Sequence, residues 1–301
     1  MANFAFQESP FRTLTDLALK TGEEARPIVW QGAPGDHVHT AFFRQSAPLV
    51  FIDELNSGVT ARRSFRTLRV TGRISGSGQL TAAAVTTRHG DDVPTLGVVN
   101  IRVDDASDTE TDMTYSGRYL YWHGNRPSIV RGSLLFPATS GLVGHQIALA
   151  QNQKDHGPLP EGLFALRAAV SPGQASVEAA NRRGDNSTSN TEEGVQFLRI
   201  GGQGIVDINW GTMRVKLNPL QGDMHKRDGF YIHNSRKGYS HGCIEVAPSG
   251  DGVDFFAALL AYSNDPKKKQ YLKLRVKYSY PAQDTVGNTF DPQYEKRRQL
   301  P

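Results

Sequence analysis

The segment that decides how this chain is interpreted is Gly229-Phe-Tyr-Ile-His-Asn-Ser-Arg-Lys-Gly-Tyr-Ser-His-Gly-Cys-Ile-Glu-Val246, which holds the single cysteine. Its first half reads as an apolar strand that ends at His233. A polar link of nine residues, 234–242, separates that histidine from Cys243, where a second apolar run begins. Such a link between two short strands is expected to bring His233 and Cys243 together.

These residue types suit nucleophilic catalysis by a thiolate. A histidine near the sulfur can accept the thiol proton, so His233 is the predicted general base and Cys243 the predicted nucleophile. Such chemistry also needs backbone N–H groups aimed at the developing oxyanion, and Gly242 lets the chain approach a substrate closely. The alternative is that Cys243 is a buried core residue, as lone cysteines usually are. The polar, turn-forming Ser240-His241-Gly242 is a poor setting for inert packing, yet the residues alone leave both interpretations open.

A family resemblance adds to this reading. Tyr239-Ser-His-Gly-Cys-Ile-Glu245 resembles the Ser/Thr-His-Gly-Cys signature of the YkuD-type L,D-transpeptidases, and Ile232-His233-Asn234 fits the upstream half of that signature. The link between the halves is shorter here than in most of the family. In this it is similar to a compact branch, the L,D-transpeptidase-like effectors delivered by type VI secretion systems.

Three upstream segments extend the resemblance over about half of the chain, from 115 to 276: Leu120–Gly124, Phe136–Gly141 and Gly157–Phe164. The resemblance implies a mostly β, YkuD-like catalytic domain that uses no cofactor and no metal. It also implies that the N–H groups of Gly242 and Cys243 are the donors to an oxyanion. Ser240, His241 and Gly242 would shape the pocket, with His241 structural or polarising rather than the base. Asn234, Arg236 and Tyr239 are the predicted substrate-binding residues. Arg236 and Lys237 would hold a substrate carboxylate, and the alternative for both is a solvated loop.

The first third of the chain is predicted to be a smaller β-rich domain of its own, residues 1–112. Alternating apolar residues predict strands at 64–71, 80–87 and 95–103, and the spacing of Phe11, Leu14, Leu17 and Leu19 predicts a short helix over 9–20. The acidic run 104–112 predicts a solvated linker, so we place the domain boundary near residue 113.

The second domain, 113–301, is predicted to hold strands at 118–123, 129–136, 162–167, 195–200, 229–233 and 271–278. A helix is expected at 251–261, capped by Ser249 or Asp251. The polar stretch 171–194 is typical of a mobile loop or a lid. Residues 265–301 form a basic C-terminal tail with nine Lys or Arg and four Asp or Glu, a net of 9 − 4 = +5, either wall-binding or merely solvated.

Composition excludes several classes of function. A net charge of +4 over 301 residues gives no support for nucleic-acid binding, and the longest apolar-rich stretch has eight residues, too short for a membrane span. A single cysteine excludes an internal disulfide and a zinc site of the Cys-x-x-Cys kind. A zinc hydrolase that uses some of the nine histidines is an alternative, although His37 and His39 have no evident third ligand and no His-Glu-x-x-His pattern is present.

The sequence therefore predicts a peptidoglycan-modifying cysteine acyl-transferase or peptidase, an L,D-transpeptidase or L,D-carboxypeptidase acting on stem peptides. The N-terminus lacks a conventional signal peptide. We therefore expect synthesis in the cytoplasm and delivery, as an antibacterial effector, to the periplasm or cell wall of a target cell. The first domain would then dock on a carrier particle, and an immunity protein would be a further partner. The alternative is a structural or wall-binding component of a phage tail or contractile secretion particle.

Overall fold

The computed structural model describes residues 4–8, 12–31, 38–59, 64–86, 97–105, 110–128, 130, 134–175, 193–200, 205–206 and 209–293. The chain divides into two compact units, Met1–Ala106 and Ser107–Pro301. The second unit begins six residues before the boundary expected from the sequence. Most of the polar stretch 171–194, together with His37 of the histidine pair, lies outside the described residues.

The first unit is built from strands in two sheets. The strands are β1 Phe4–Glu8, β2 Arg12–Thr13, β3 Asp16–Lys20, β4 Glu24–Ala25, β5 Ile28–Gln31, β6 Val38–Gln45, β7 Val50–Val59, β8 Ser64–Gly72, β9 Gly76–Thr86 and β10 Gly97–Asp104. One sheet has the order β2-β1-β5-β8-β4 with β7 added on β8, and the other has the order β3-β10-β9-β6. A single buried cluster takes apolar side chains from both sheets. The three strands predicted for this region are confirmed.

The helix predicted over 9–20 is wrong, because strands β2 and β3 occupy the part of it that the structure describes. Along β3, Leu17 and Leu19 are buried while the residues between and beside them are exposed, which is the period of two expected of a strand. The strand pairs in parallel with β10, with Leu17 opposite Ile101. The spacing of Phe11, Leu14 and Leu17 fits a helix, whereas Leu17 and Leu19, two apart, share a face only in a strand. Pairing with β10 decides for the strand.

The second unit is dominated by one ten-stranded sheet of order β15-β18-β20-β21-β13-β12-β11-β22-β14-β19. Its strands are β11 Met113–Tyr115, β12 Tyr119–Trp122, β13 Leu135–Thr139, β14 Gly162–Arg167, β15 Val195–Phe197, β18 Met213–Lys216, β19 Asn218–Gln221, β20 Tyr231–His233, β21 Ile244–Val246 and β22 Tyr271–Val276. A separate pair is formed by β16 Arg199–Ile200 and β17 Ile205–Val206, and a 3₁₀ helix spans Ala148–Asn152. Together with the first unit, this makes the described chain mostly β.

Three predicted elements of this unit differ in detail. The strand expected at 129–136 is found at Leu135–Thr139, and the one expected at 195–200 is split between β15 and β16. The helix, α1, spans Phe255–Ser263, and its cap is Asp254, whose carboxylate accepts a hydrogen bond from the Ala257 N–H at 2.8 Å. Ser249, Asp251 and Asp254 could each cap the helix, and the cap is Asp254, which directly precedes the first apolar residue of the helix.

Two segments predicted to be solvated are partly built into the fold. Asp112, at the end of the acidic run, is buried and accepts hydrogen bonds from Asn125 and from the Lys273 N–H. Within the basic tail, Thr285 and Thr289 are fully buried. Their hydroxyls bond to the Ser140 carbonyl and to Thr139 respectively, so this part of the tail closes over β13. Wall binding by the basic residues of the tail stays a prediction.

Candidate active site

The sheet of the second unit has a buried polar row where the motif lies. Strand register places five polar residues side by side across neighbouring strands, and each is at most 1% exposed: Gln196, Arg214, His233, Glu245 and Thr139. The opposite face carries Val195, Val215, Ile232 and Ile244, which belong to the apolar core. Strands with an apolar and a polar face usually expose the polar one, so a polar row buried in the protein is a candidate functional site.

Cys243 immediately precedes β21 and lies on the same face as this row. β20 and β21 are parallel, with Ile232 opposite Ile244 and His233 opposite Glu245. By the same register Cys243 falls beside Tyr231, one diagonal step from His233. The ten residues 234–243 make the return, which is a short crossover for parallel strands, and the three-residue length of β20 and β21 permits it.

The thiol is buried and protonated. Cys243 is 6% exposed, and its Sγ donates to the Gly229 carbonyl at 3.8 Å. Burial raises the pKa of the Cys243 thiol to about 11. Four groups oppose this by favouring the thiolate: the Tyr231 backbone N–H, then Arg214, Lys237 and Arg227. A role in core packing alone would therefore explain why Cys243 is buried, but not why three cations lie near its sulfur.

His233 is buried and neutral. Burial first, and then the cations Lys237 and Arg214, lower the pKa of its imidazole to about 3. Its Nδ1 has no hydrogen-bond partner among the described residues, so the expected hydrogen bond from the Cys243 thiol to that nitrogen is not formed. The parallel register is the reason, because it places Glu245 rather than Cys243 directly opposite His233. A buried ring nitrogen without a partner is costly, and such atoms occur at sites where a proton or ligand is received.

Arg214 and Lys237 both affect His233 and Cys243, so the four groups share one neighbourhood. The Arg214 guanidinium carbon lies 4.4 Å from the centre of the Trp210 ring and 4.6 Å from that of Tyr231. Trp210 also packs edge-on against His233, with the ring centres 5.5 Å apart. Lys237 Nζ lies 4.5 Å from the centre of the Tyr239 ring. These cations surround a thiol and an imidazole that are neutral at pH 7.

Gly242 can only be glycine, because Arg227 lies against it. A Cβ on Gly242 would be 2.0 Å from an Arg227 terminal nitrogen, and the backbone φ of +106° disfavours other residues. The Arg227 guanidinium is held by the carbonyls of Gln151, Gly157 and Pro158. Nothing in the sequence singled out Arg227, which lies fifteen residues before Gly242.

Ser240 holds the turn before Cys243. Its hydroxyl donates to the Cys243 carbonyl at 2.6 Å and accepts from the Gly141 N–H at 3.1 Å. It also accepts from the Gly242 N–H at 3.3 Å, so that N–H points to Ser240 rather than to the space beside the sulfur. Of the two predicted oxyanion donors, the Gly242 N–H is therefore occupied in this conformation.

Two of the three upstream segments named by resemblance converge on this turn. Gly141, which ends Phe136–Gly141, exchanges hydrogen bonds with Ser240, and Gly157 and Pro158, which open Gly157–Phe164, accept from Arg227. Segment Leu120–Gly124 instead lies on β12 and after it, where Trp122 Nε1 donates to the Gly124 carbonyl. Segments Phe136–Gly141 and Gly157–Phe164 thus position the turn before Cys243, and segment Leu120–Gly124 contributes to the core.

His241 is exposed, and its Nδ1 lies 2.9 Å from the Asp155 carbonyl oxygen. That oxygen can only accept, so Nδ1 carries the proton, and in the neutral ring Nε2 carries the lone pair. A third group that orients the ring in this way is what a general base needs. His241, which the resemblance makes structural or polarising, is therefore a second candidate for the base.

The predicted substrate-binding residues have structural partners. Asn234 accepts from the Thr212 and Met213 N–H groups at 2.9 and 3.1 Å. Arg236, at φ +58°, donates to the Thr289 carbonyl and pairs with Asp291 at 3.5 Å. The Tyr239 ring makes a cation–π contact with the Lys237 ammonium group. Asn234 and Arg236 therefore fix the loop in this conformation, and a substrate carboxylate would have to compete with Asp291 for Arg236.

Glu245 is a residue of the motif to which sequence reasoning assigned no role. Its buried carboxylate accepts from Ser235 Oγ, from Thr289 Oγ1, from the Lys237 N–H at 2.9 Å and from the Gly238 N–H at 2.7 Å. It therefore fixes the loop that connects His233 to Cys243. The signal that could have found it is a lone acid inside an apolar strand, since such an acid needs several donors.

We expect Glu245→Ala to destabilise the protein by about 3 kcal/mol or more, because it leaves two N–H groups and two hydroxyls buried without their acceptor. Glu245→Gln keeps the shape of the side chain but replaces one acceptor oxygen with an NH₂ group, which would face hydrogen-bond donors. We therefore expect a loss of stability smaller than that of Glu245→Ala. Denaturant titration followed by tryptophan fluorescence measures both. Equal, small losses for the two variants would show that the carboxylate does not hold the loop.

Among the residues that the structure describes, no group of three or more His, Cys, Asp or Glu side chains is arranged to hold a metal ion. The pair His37 and His39 is not tested by this, since His37 lies outside the described ranges. Within the same described ranges, no helix has the length and apolar character needed to cross a membrane.

Comparisons with known proteins add little. No family model and no curated protein matches the chain. A solved structure titled "Solution Structure of Amebosin" is similar over 30% of this chain and 88% of its own length, at 12% identity and a TM-score of 0.20. A likeness this weak carries no argument about fold or function.

Proposed function

We propose that the second unit is a cysteine acyl-transferase or peptidase of the L,D-transpeptidase type, acting on peptidoglycan stem peptides. The observation that carries the proposal is the shared neighbourhood of Cys243 and His233, two neutral groups on one buried face with the same two cations beside them. The motif resemblance supplies the substrate class. The YkuD-like identity of the fold belongs to the same proposal.

In the proposed reaction, His233 Nδ1 accepts the Cys243 proton as the sulfur attacks a carbonyl carbon of the stem peptide. The peptide C–N bond then breaks, the leaving amine takes the proton from His233, and the acyl group remains on sulfur as a thioester. Attack by water on the thioester gives a carboxypeptidase, and attack by an amine gives a transpeptidase. The Cys243 N–H is the donor that remains for the oxyanion, because the Gly242 N–H bonds to Ser240.

This reaction requires a movement. The thiol hydrogen is directed at the Gly229 carbonyl, and the sulfur is 6% exposed. Substrate binding must therefore displace the segment before β20 and turn the thiol toward Nδ1. Catalytic hydrogen bonds that form only in the substrate complex are common, so the unbonded pair is compatible with the proposal.

The test is mass spectrometry of digested sacculi after incubation with the purified chain. Shortened stems indicate carboxypeptidase activity, while new cross-links or exchanged D-amino acids indicate transpeptidase activity. The closed thiol favours a second candidate, a wall-binding component without turnover. Unmodified sacculi that nevertheless retain the protein would support that candidate and contradict the first. Delivery to a target cell, docking through the first unit and an immunity partner are part of the first proposal and would be tested separately.

A further inference from the structure

Arg214 is a cation for which the proposed reaction has so far no use. It lies on β18 directly opposite His233 and is 1% exposed. Its Nε donates to Gln196 Oε1 at 2.8 Å, and its guanidinium packs beside the Trp210 and Tyr231 rings, which contact each other edge to face. Burying a guanidinium this completely costs hydration free energy, so a buried arginine beside the candidate active site is itself a candidate functional residue.

The contacts of Arg214 fix its position closely. Gln196 is its neighbour on β15 by register, and the aromatic rings hold the guanidinium by cation–π contacts of the stronger, desolvated kind. Trp210 contacts both Arg214 and His233, so one ring sets the position of the cation and of the imidazole. The same cation also affects the Cys243 thiol.

We propose that Arg214 is a positioning residue of the Cys243 site, which stabilises the thiolate as it forms and keeps His233 in the neutral state that can accept its proton. This rests on the proposed function for its role in turnover. Its effect on the thiol itself does not, because ionisation of Cys243 can be measured without substrate. A neutral imidazole beside a fixed cation accepts a proton only as the thiolate forms, since the new negative charge offsets the repulsion from Arg214.

The test separates charge from shape. Arg214→Gln keeps a polar group able to bond to Gln196 and removes the charge, and Arg214→Lys keeps the charge and loses the planar fork. The control, Lys273→Met, removes one positive charge from an exposed position on β22. The readout is the rate of Cys243 alkylation by iodoacetamide as a function of pH, from about pH 7 to about pH 8.5, where both arginine and lysine carry their charge. It is unambiguous because the chain has one cysteine.

We expect the pH–rate profile of alkylation to lie about one pH unit higher in Arg214→Gln, a roughly tenfold slower reaction at each pH in this range. Arg214→Lys and Lys273→Met are expected to keep the wild-type profile. Where wild type turns over muropeptides, Arg214→Gln is expected to lower kcat with little change in KM. A wild-type profile in folded Arg214→Gln would overturn the proposal and leave a packing role only.

If Arg214→Gln does not fold, Arg214→Lys is the test variant, because a pH–rate profile displaced by a unit or more despite the retained charge would also overturn the proposal. Failure of the proposed function is distinguishable from failure of this inference. A wild-type chain without turnover, whose alkylation profile still shifts in Arg214→Gln, refutes the enzyme and retains the effect of Arg214 on the thiol.

Discussion

Replacement of Cys243 by alanine is expected to abolish turnover of purified muropeptides, a loss of about 10⁴-fold or more, because the proposed reaction passes through a bond to sulfur. His233→Ala is expected to lose about 10²- to 10⁴-fold, the usual contribution of a general base. Product formation is measured by liquid chromatography and mass spectrometry, with far-ultraviolet circular dichroism to show that each variant is folded.

Two further variants test whether the loss of turnover is specific to His233. His156→Ala removes an exposed histidine whose ring bonds to the nearby Lys154 carbonyl and packs against the His145 ring, and it is expected to retain wild-type turnover. His241→Ala compares the two candidate bases. A larger loss in His241→Ala than in His233→Ala would assign the base to the exposed ring that Asp155 orients.

Gly242→Ala is expected to lower the free energy of unfolding by about 3 kcal/mol or more and to abolish activity. The added methyl group would lie 2.0 Å from an Arg227 terminal nitrogen that three carbonyls hold in place, and the backbone at φ +106° adds strain. Denaturant titration followed by the fluorescence of Trp122 and Trp210 measures the loss in the second unit.

Gly252→Ala is the matched control for this change. Gly252 also has a positive φ, +79°, but a Cβ there would meet nothing within 4 Å. Only backbone strain is then added, and a loss of about 1 kcal/mol is expected. Similar losses at the two positions would show that Arg227 moves aside easily and does not constrain the cysteine turn.

The parts of the fold that could be predicted from the sequence are those where the pattern is local. The alternating strands near 64–72 and 97–104 and the helix before Ser263 follow from apolar spacing within each segment. The failure at β3 has the same origin, because the spacing of Phe11, Leu14 and Leu17 fits a helix while Leu17 and Leu19 fit a strand, and so short a segment carries both patterns. Its partner β10 lies about eighty residues away and decides the outcome.

The residues of the candidate site differ in the same way, because those within the motif could be predicted and those from distant segments could not. His233, Ser240 and Cys243 stand in one motif and could be identified by their chemistry and spacing. Arg214 and Arg227 could not, because sheet register and the fold of the segment before β20 bring them to the thiol. The hydrogen bonds of Asn234 and Arg236 were missed for the same reason, since their partners lie in the segments 212–213 and 289–291.

The most direct measurement of the central claim, that Cys243 carries the acyl group, is intact-mass spectrometry of the protein quenched in acid during turnover of a purified muropeptide. We predict a mass increase equal to the donor acyl group, located on the peptide that contains Cys243 and removed by hydroxylamine. Product formation without this adduct, or the same adduct in Cys243→Ala, would contradict the claim.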